Sequence, residues 1–176
     1  MPALREELGI KNVMALPKLQ KVVVNVGTGQ NKVNPKFSEN ATNNLIAITG
    51  QKPAKRLARK AISGFKIREG DEVGLVVTLR GEKMYDFVDK LANITLPRLR
   101  DFRGFNEKSF DQAGNYTLGL KDQLIFPEIS HEKAESAHGL EITFVLKSPS
   151  SKASKLLMEK LGFPFSGGPT GTSQEK

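Results

Sequence analysis

Seven cationic side chains, Lys52, Lys55, Arg56, Arg59, Lys60, Lys66 and Arg68, fall within residues 52–68 with no carboxylate among them. Removing those seven from 27 Lys and Arg leaves 20 against 19 Asp and Glu, so almost all of the net charge of +8 sits in this stretch. A solvated helix face interleaves acids with bases at helical spacing, and this stretch does not. Charge this local repels itself and is offset by a polyanion outside the chain. Gly64 and Phe65 add a flexible point and one apolar ring, which suits an arm whose backbone approaches a phosphate chain closely. With a pI near 9.7, nucleic acid leads as partner class, ahead of an anionic membrane surface.

Phosphate contacts supply affinity without sequence information, whereas a folded RNA is recognised through short polar side chains that reach 2′-hydroxyls and base edges. Asn25, Gln51, Thr78 and Arg80 are of that kind. Thr78 and Arg80 lie two apart in a strand-like run, so they share one face while Val77 and Leu79 take the other. Local turn or edge hydrogen bonding is the alternative for Asn25, Gln51 and Thr78. A second cationic group, Arg98, Arg100 and Arg103, stands among Phe102, Phe105 and Phe110. Its alternative is internal pairing with Asp101, Glu107 or Asp111.

Catalytic chemistry finds little material. His131 and His138 sit near acids in a polar segment and read as surface histidines. No nucleophile elbow, zinc-protease helix or phosphate loop occurs, and Gly27-Thr28-Gly29 lacks the third glycine of a dinucleotide turn. Cysteine is absent, which removes disulfides, thiolate nucleophiles and thiolate metal sites. The Asn-x-Thr triplets at Asn40, Asn93 and Asn115 are then chance matches in a cytosolic chain. We expect no enzyme, no metal, no cofactor and no small-molecule substrate.

These residues need elements to hold them. Leu4 and Leu8 are spaced for two helical turns that Pro17 closes off. The β-branched run from Leu19 to Val26 reads as a strand before Gly27. Asn34 as N-cap, Pro35 at the first position and Gly50 as a left-handed stop frame a helix with Phe37, Ala41, Leu45 and Ile48 on its apolar face. The basic stretch then reads as a strand followed by a loop bracketed by Gly64 and Gly70, and residues 72–80 return antiparallel to it. Met84, Phe87, Val88 and Leu91 mark a second helix over residues 82–94, ended by Pro97. A long loop leads to a strand over residues 116–120, a short buried turn covers residues 124–129, and residues 140–146 alternate as a half-buried strand. A last helix runs over residues 150–161 to Gly162. The whole predicts a two-layer α+β fold: a mainly antiparallel sheet, helices on one face, and an opposite face open to a partner. Residues 1–165 form one domain in this reading, and the Gly/Ser/Thr-rich residues 166–176 a disordered tail. No run is long enough to span a bilayer, and no secretory leader is visible.

The motifs Pro17-Lys18-Leu19, Val22-Val23-Val24-Asn25-Val26-Gly27, Ile48-Thr49-Gly50-Gln51-Lys52-Pro53 and Phe65-Lys66-Ile67-Arg68-Glu69-Gly70 occur in this order. Val77-Thr78-Leu79-Arg80-Gly81, Leu96-Pro97-Arg98, Arg103-Gly104, Gly114-Asn115-Tyr116 and Gln123-Leu124-Ile125-Phe126-Pro127-Glu128-Ile129 follow. Together they resemble the bacterial form of large-subunit ribosomal protein five, over residues 12–165. The resemblance implies a cytoplasmic, ribosome-bound protein that anchors 5S rRNA in the central protuberance. It implies 5S rRNA contacts at Asn25, Gln51, Lys52, Phe65, Thr78 and Arg80, and a loop over residues 60–71, with Lys60, Lys66 and Arg68, that faces P-site tRNA. It further implies contact with 23S rRNA and with neighbouring ribosomal proteins, including a small-subunit partner across a bridge. Lys18, Lys21, Lys55, Arg56, Arg59, Arg98, Arg100 and Arg103 are further candidates for rRNA. The chain departs from the family in a shorter N-terminal helix and in Ala113, where a basic residue is usual.

Overall fold

The computed structural model describes residues 2–10, 12–29, 36–99, 104–129, 137–148 and 150–165. Its elements run α1 (Pro2–Leu8), β1 (Lys18–Gly27), α2 (Phe37–Thr49), β2 (Ala54–Leu57), β3 (Glu72–Leu79), α3 (Glu82–Lys90), β4 (Tyr116–Leu120), β5 (Leu140–Lys147) and α4 (Ser151–Lys160). The strands form one antiparallel sheet in the order β2-β3-β1-β5-β4. β1 sits at its centre. Val22, Val24 and Val26 point into the core with Leu75, Val77 and Leu79 of β3 and Ile142, Phe144 and Leu146 of β5. The same core takes Phe37, Ala41, Leu45 and Ile48 from α2, Met84, Phe87 and Val88 from α3, Leu157 and Met158 from α4, and Leu4 from α1. The helices therefore cover one sheet face, as the two-layer reading expects.

Local chemistry sets the boundaries. Gly50 ends α2 in the left-handed region (φ 64°), and its amide donates to the Ile46 carbonyl at 2.8 Å. The Ser150 hydroxyl accepts from the Ala153 amide and caps α4, and Gly162 (φ 91°) terminates it. The expected capping by Asn34 and Pro35 lies outside the described residues. The second helix departs from expectation at its end. After Lys90 it widens into a π-helical turn, Leu91–Thr95, then tightens into a 3₁₀ turn, Leu96–Arg98. Buried Thr95 turns its hydroxyl back to the Lys90 carbonyl at 3.4 Å, and Pro97, lacking an amide proton, cannot extend the regular ladder.

The loop between α3 and β4 is tied into the core. Phe105 is 1% exposed, its amide donates to the Pro164 carbonyl at 2.7 Å, and its ring packs edge-on against Tyr116 and Phe163. Asn115 anchors the approach to β4: its amide and Nδ2 donate to the Asp111 carboxylate, both at 2.7 Å, and its Oδ1 accepts from the Leu146 amide. These bonds, that from the Asn115 side chain first, hold the Asp111 carboxyl below its usual range.

His138 corrects the surface reading, while His131 lies outside the described residues. The His138 ring is buried edge-on to Phe37. Its Nδ1 lies 3.4 Å from the Gly139 carbonyl and its Nε2 3.3 Å from Asn44 Nδ2. A carbonyl can only accept and an amide nitrogen only donate, so both contacts are satisfied by a neutral ring protonated at Nδ1. Burial pushes its pKa below the ordinary 6.5, against smaller upward pulls from the Gly139 carbonyl and the Asp122 charge. The unfolded chain then binds a proton that the fold excludes, so stability is lost as pH falls below about 6.5. Thermal denaturation followed by circular dichroism is expected to show the midpoint falling between about pH 7 and pH 5, with a shallower fall in His138→Gln. An equal slope in both proteins would remove His138 as the cause.

Candidate nucleic-acid interface

Directly opposed residues of an antiparallel pair share a face, so the register maps the open side of the sheet. One row runs Ala54, Val76, Asn25, Glu141, Gly119 across all five strands. The next runs Thr78, Val23, Thr143, Thr117. On the side toward the β2–β3 connection the face carries Arg56, Gly74 and Gly27. The middle of this face is uncharged except for Glu141, and its side chains are short.

Asn25 and Thr78 are diagonal neighbours on this surface. The Asn25 Nδ2 donates to Glu141 Oε2 at 3.4 Å. Gln51 reaches the same region from the end of α2, its Nε2 donating to the Thr78 carbonyl at 3.3 Å. The buried Thr49 hydroxyl accepts from the Gln51 amide at 3.3 Å and lies 2.6 Å from the Leu45 carbonyl, which ties that turn to the helix. Arg80, exposed, follows Thr78 by two residues on the same face, and exposed Lys52 follows Gln51. Sequence reasoning thus placed Asn25, Gln51, Thr78 and Arg80 apart along the chain, and the fold brings them together.

Phe65 is held elsewhere. The four residues of β2 are exposed, and the hairpin beyond them is closed by Ala58 and Asp71 and again by an Ile62–Ile67 bridge. Ser63–Phe65 make a 3₁₀ turn at the tip, and Phe65 is 71% exposed there. The left-handed residue of the tip is Lys66 (φ 53°), and Gly70 (φ 89°) takes the second bend. The Arg68 amide donates to Asp71 Oδ2 at 2.8 Å. Arg59, Lys60, Lys66 and Arg68 are all exposed along this arm.

Lys55 is engaged within the protein. It lies opposite Leu75, on the helix side, and its Nζ pairs with Glu72 Oε2 at 2.8 Å. The Ser38 hydroxyl donates to the other oxygen of that carboxylate, so Glu72 ties the root of the arm to α2. Arg98 is exposed at the end of its 3₁₀ turn, and Arg100 and Arg103 lie outside the described residues. Two of the three acids considered for that cluster have other partners: Glu107 pairs with Lys155 at 2.6 Å, and Asp111 binds Asn115. The Gly27–Gly29 turn is a strand end, with buried Thr28 bonded to the backbone of Val73 and Glu72.

Sequence reasoning missed Lys147 and the β-bulge in β1. The register shifts between Leu19 and Lys21, so Lys18 lies opposite Lys147 and Lys21 opposite Val145, all on the open face. The signal was present: Leu19 and Val22 are both buried yet three apart, which a strand of period two permits only through an extra residue.

An open sheet face of mostly short side chains thus lies beside a cationic hairpin. Among the described residues no cluster of His, Cys, Asp and Glu could hold a metal ion, and no helix is long and apolar enough to cross a membrane. Residues 12–68 match the family model for ribosomal protein L5, and residues 72–165 match the model for the C-terminus of the same ribosomal family. The chain is 51% identical over 166 residues to the large ribosomal subunit protein uL5 of Natranaerobius thermophilus, covering 94% of this chain and 93% of that one. It is 53% identical over 163 residues to the protein of the same name from Heliobacterium modesticaldum, covering 93% of this chain and 91% of that one. The chain belongs to the ribosomal protein L5 family: it is a large-subunit ribosomal protein of the cytoplasmic ribosome, not an enzyme.

Replacing Glu72 by Ala is expected to cost about 1–2 kcal/mol, from a charge-assisted hydrogen bond and a partly exposed ion pair. It should also speed amide exchange in β2 more than in β5. Equal protection of β2 in both proteins would show that Glu72 does not brace the arm.

Proposed function

We propose that the open sheet face binds 5S rRNA through Asn25, Gln51, Thr78 and Arg80, with Lys52 beside them, and that the arm reaches P-site tRNA through Lys60, Lys66 and Arg68. The convergence of Asn25, Thr78 and the Thr78-bound Gln51 on one patch, whose charged member is Glu141 beside Asn25, carries the first part. Short donors and acceptors on a flat surface suit the shallow minor groove and 2′-hydroxyls of a folded RNA. Arg80, planar and permanently charged, adds a contact to a phosphate or base edge. Phe65 belongs with the arm in this reading, where an exposed ring can stack on a base. Arg56, Arg59 and Arg98 remain candidates for 23S rRNA, and neighbouring ribosomal proteins, with a small-subunit bridge partner, complete the assembly. We also read residues 1–165 as a single domain, because β1, from the first matched segment, pairs with β3 and β5 from the second.

Arg80→Ala is expected to weaken 5S rRNA binding by about 1–3 kcal/mol, the range for a hydrogen bond to a charged partner. Unchanged affinity in a filter-binding titration would withdraw the sheet-face assignment. Lys66→Ala combined with Arg68→Ala should leave binding of free 5S rRNA intact and weaken tRNA occupancy of the P site on assembled ribosomes. Parallel loss of both would put the arm on the 5S rRNA instead.

A further inference from the structure

The bulge in β1 gathers three lysines that the sequence spacing would scatter. In a regular strand Lys18 and Lys21, three apart, point to opposite faces. The extra residue between Leu19 and Lys21 restores the buried face at both Leu19 and Val22 and sends Lys18 and Lys21 to the open face together. Lys147 of β5 stands directly across from Lys18. Extending the register Val22↔Leu79 by one residue sets Lys21 beside Arg80, the residue just after β3. Among the described residues none of these three lysines has a carboxylate within ion-pair distance. Glu141, the acid of this face within β5, is six residues along the strand from Lys147, about 20 Å away. Like charges opposed across a ladder are destabilising, so this placement costs the free fold a small repulsion that an external anion would relieve.

We propose that Lys18, Lys21 and Lys147 form a phosphate-binding site that continues the Arg80 contact across β1 and β5 and holds the backbone of the same RNA. The proposal rests on the sheet-face reading above. It gives that RNA two cationic anchors, this site and the root of the arm at Arg56, on either side of the Thr and Asn rows. The bulge is the element that places the first.

The test compares the intact protein with Lys18→Gln/Lys21→Gln/Lys147→Gln and with a control, Lys83→Gln/Lys152→Gln, whose lysines lie on α3 and α4. Binding to 5S rRNA is titrated against salt, and melting of the free proteins is measured alongside. The lysine variant should bind more weakly, and its log–log salt slope should be shallower by about two units, at about 0.7–0.9 per phosphate released. Its melting temperature should hold or rise as the repulsion is removed. An unchanged slope, or an equal change in the control, overturns the proposal. If Arg80→Ala still weakens binding in the same series, that failure is confined to the lysine site. If no variant differs from the intact protein, the sheet-face reading falls with it.

Discussion

The central position of β1 is the constraint on which the rest of the molecule depends. It pairs antiparallel with β3 on one side and β5 on the other, and Val22, Val24 and Val26 are almost wholly buried between sheet and helices. Burying such side chains contributes about 1.5–3 kcal/mol each. A slip of one residue would expose all three and drive Lys21 and Asn25 into the core. The register that protects the core is therefore the register that presents Asn25 beside Val76 and Thr78. Packing and site geometry are fixed by one decision, and no separate scaffold is needed to aim the polar side chains.

The arm obeys a different balance. Beyond β2 it is held by a few hairpin hydrogen bonds and buries little apolar surface, so its local stability lies well below that of the sheet. Its charge would make it splay in isolation. Glu72 counters this at the root by taking Lys55 out of the cationic set and bonding to Ser38. The result is a braced base and a yielding tip. A rigid face suits one folded RNA, and a compliant cationic tip suits a ligand whose position shifts.

Much of this was legible in the sequence because its signals are local. The alternation in Leu140–Lys147, the Gly50 stop and the concentration of charge at residues 52–68 each follow from periodicity or composition over short windows. What stayed hidden depends on distant partners. Phe105 and Phe110 read as companions of the cationic group in a long loop, yet the aromatic cluster that claims them draws on Tyr116 and Phe165. His138 read as a surface residue because its neighbours in sequence are polar, whereas its neighbours in space are Phe37, Asn44 and Gln123. Lys55 looked like its six cationic companions until the register turned it toward Glu72. Period two assigns a side to every residue only after the bulges and the partners are known.

The bulge shows why that last step bears on function. An extra residue in a central strand disturbs ladder hydrogen bonds and increases local twist, and here it falls between two core side chains that a regular strand could not both bury. A simpler solution is available to any sequence: deleting Gln20 would leave Leu19 and Val22 in phase and remove the irregularity. Lys18 and Lys21, then two apart, would still share the open face, so their common side follows from the register that buries both Leu19 and Val22, and in this chain the bulge is what reconciles that register with the presence of Gln20. The irregular strand and the opposed lysines each weaken the free fold by a small amount. In the complex proposed above, the placement that sets cation against cation would instead set each lysine against an anion.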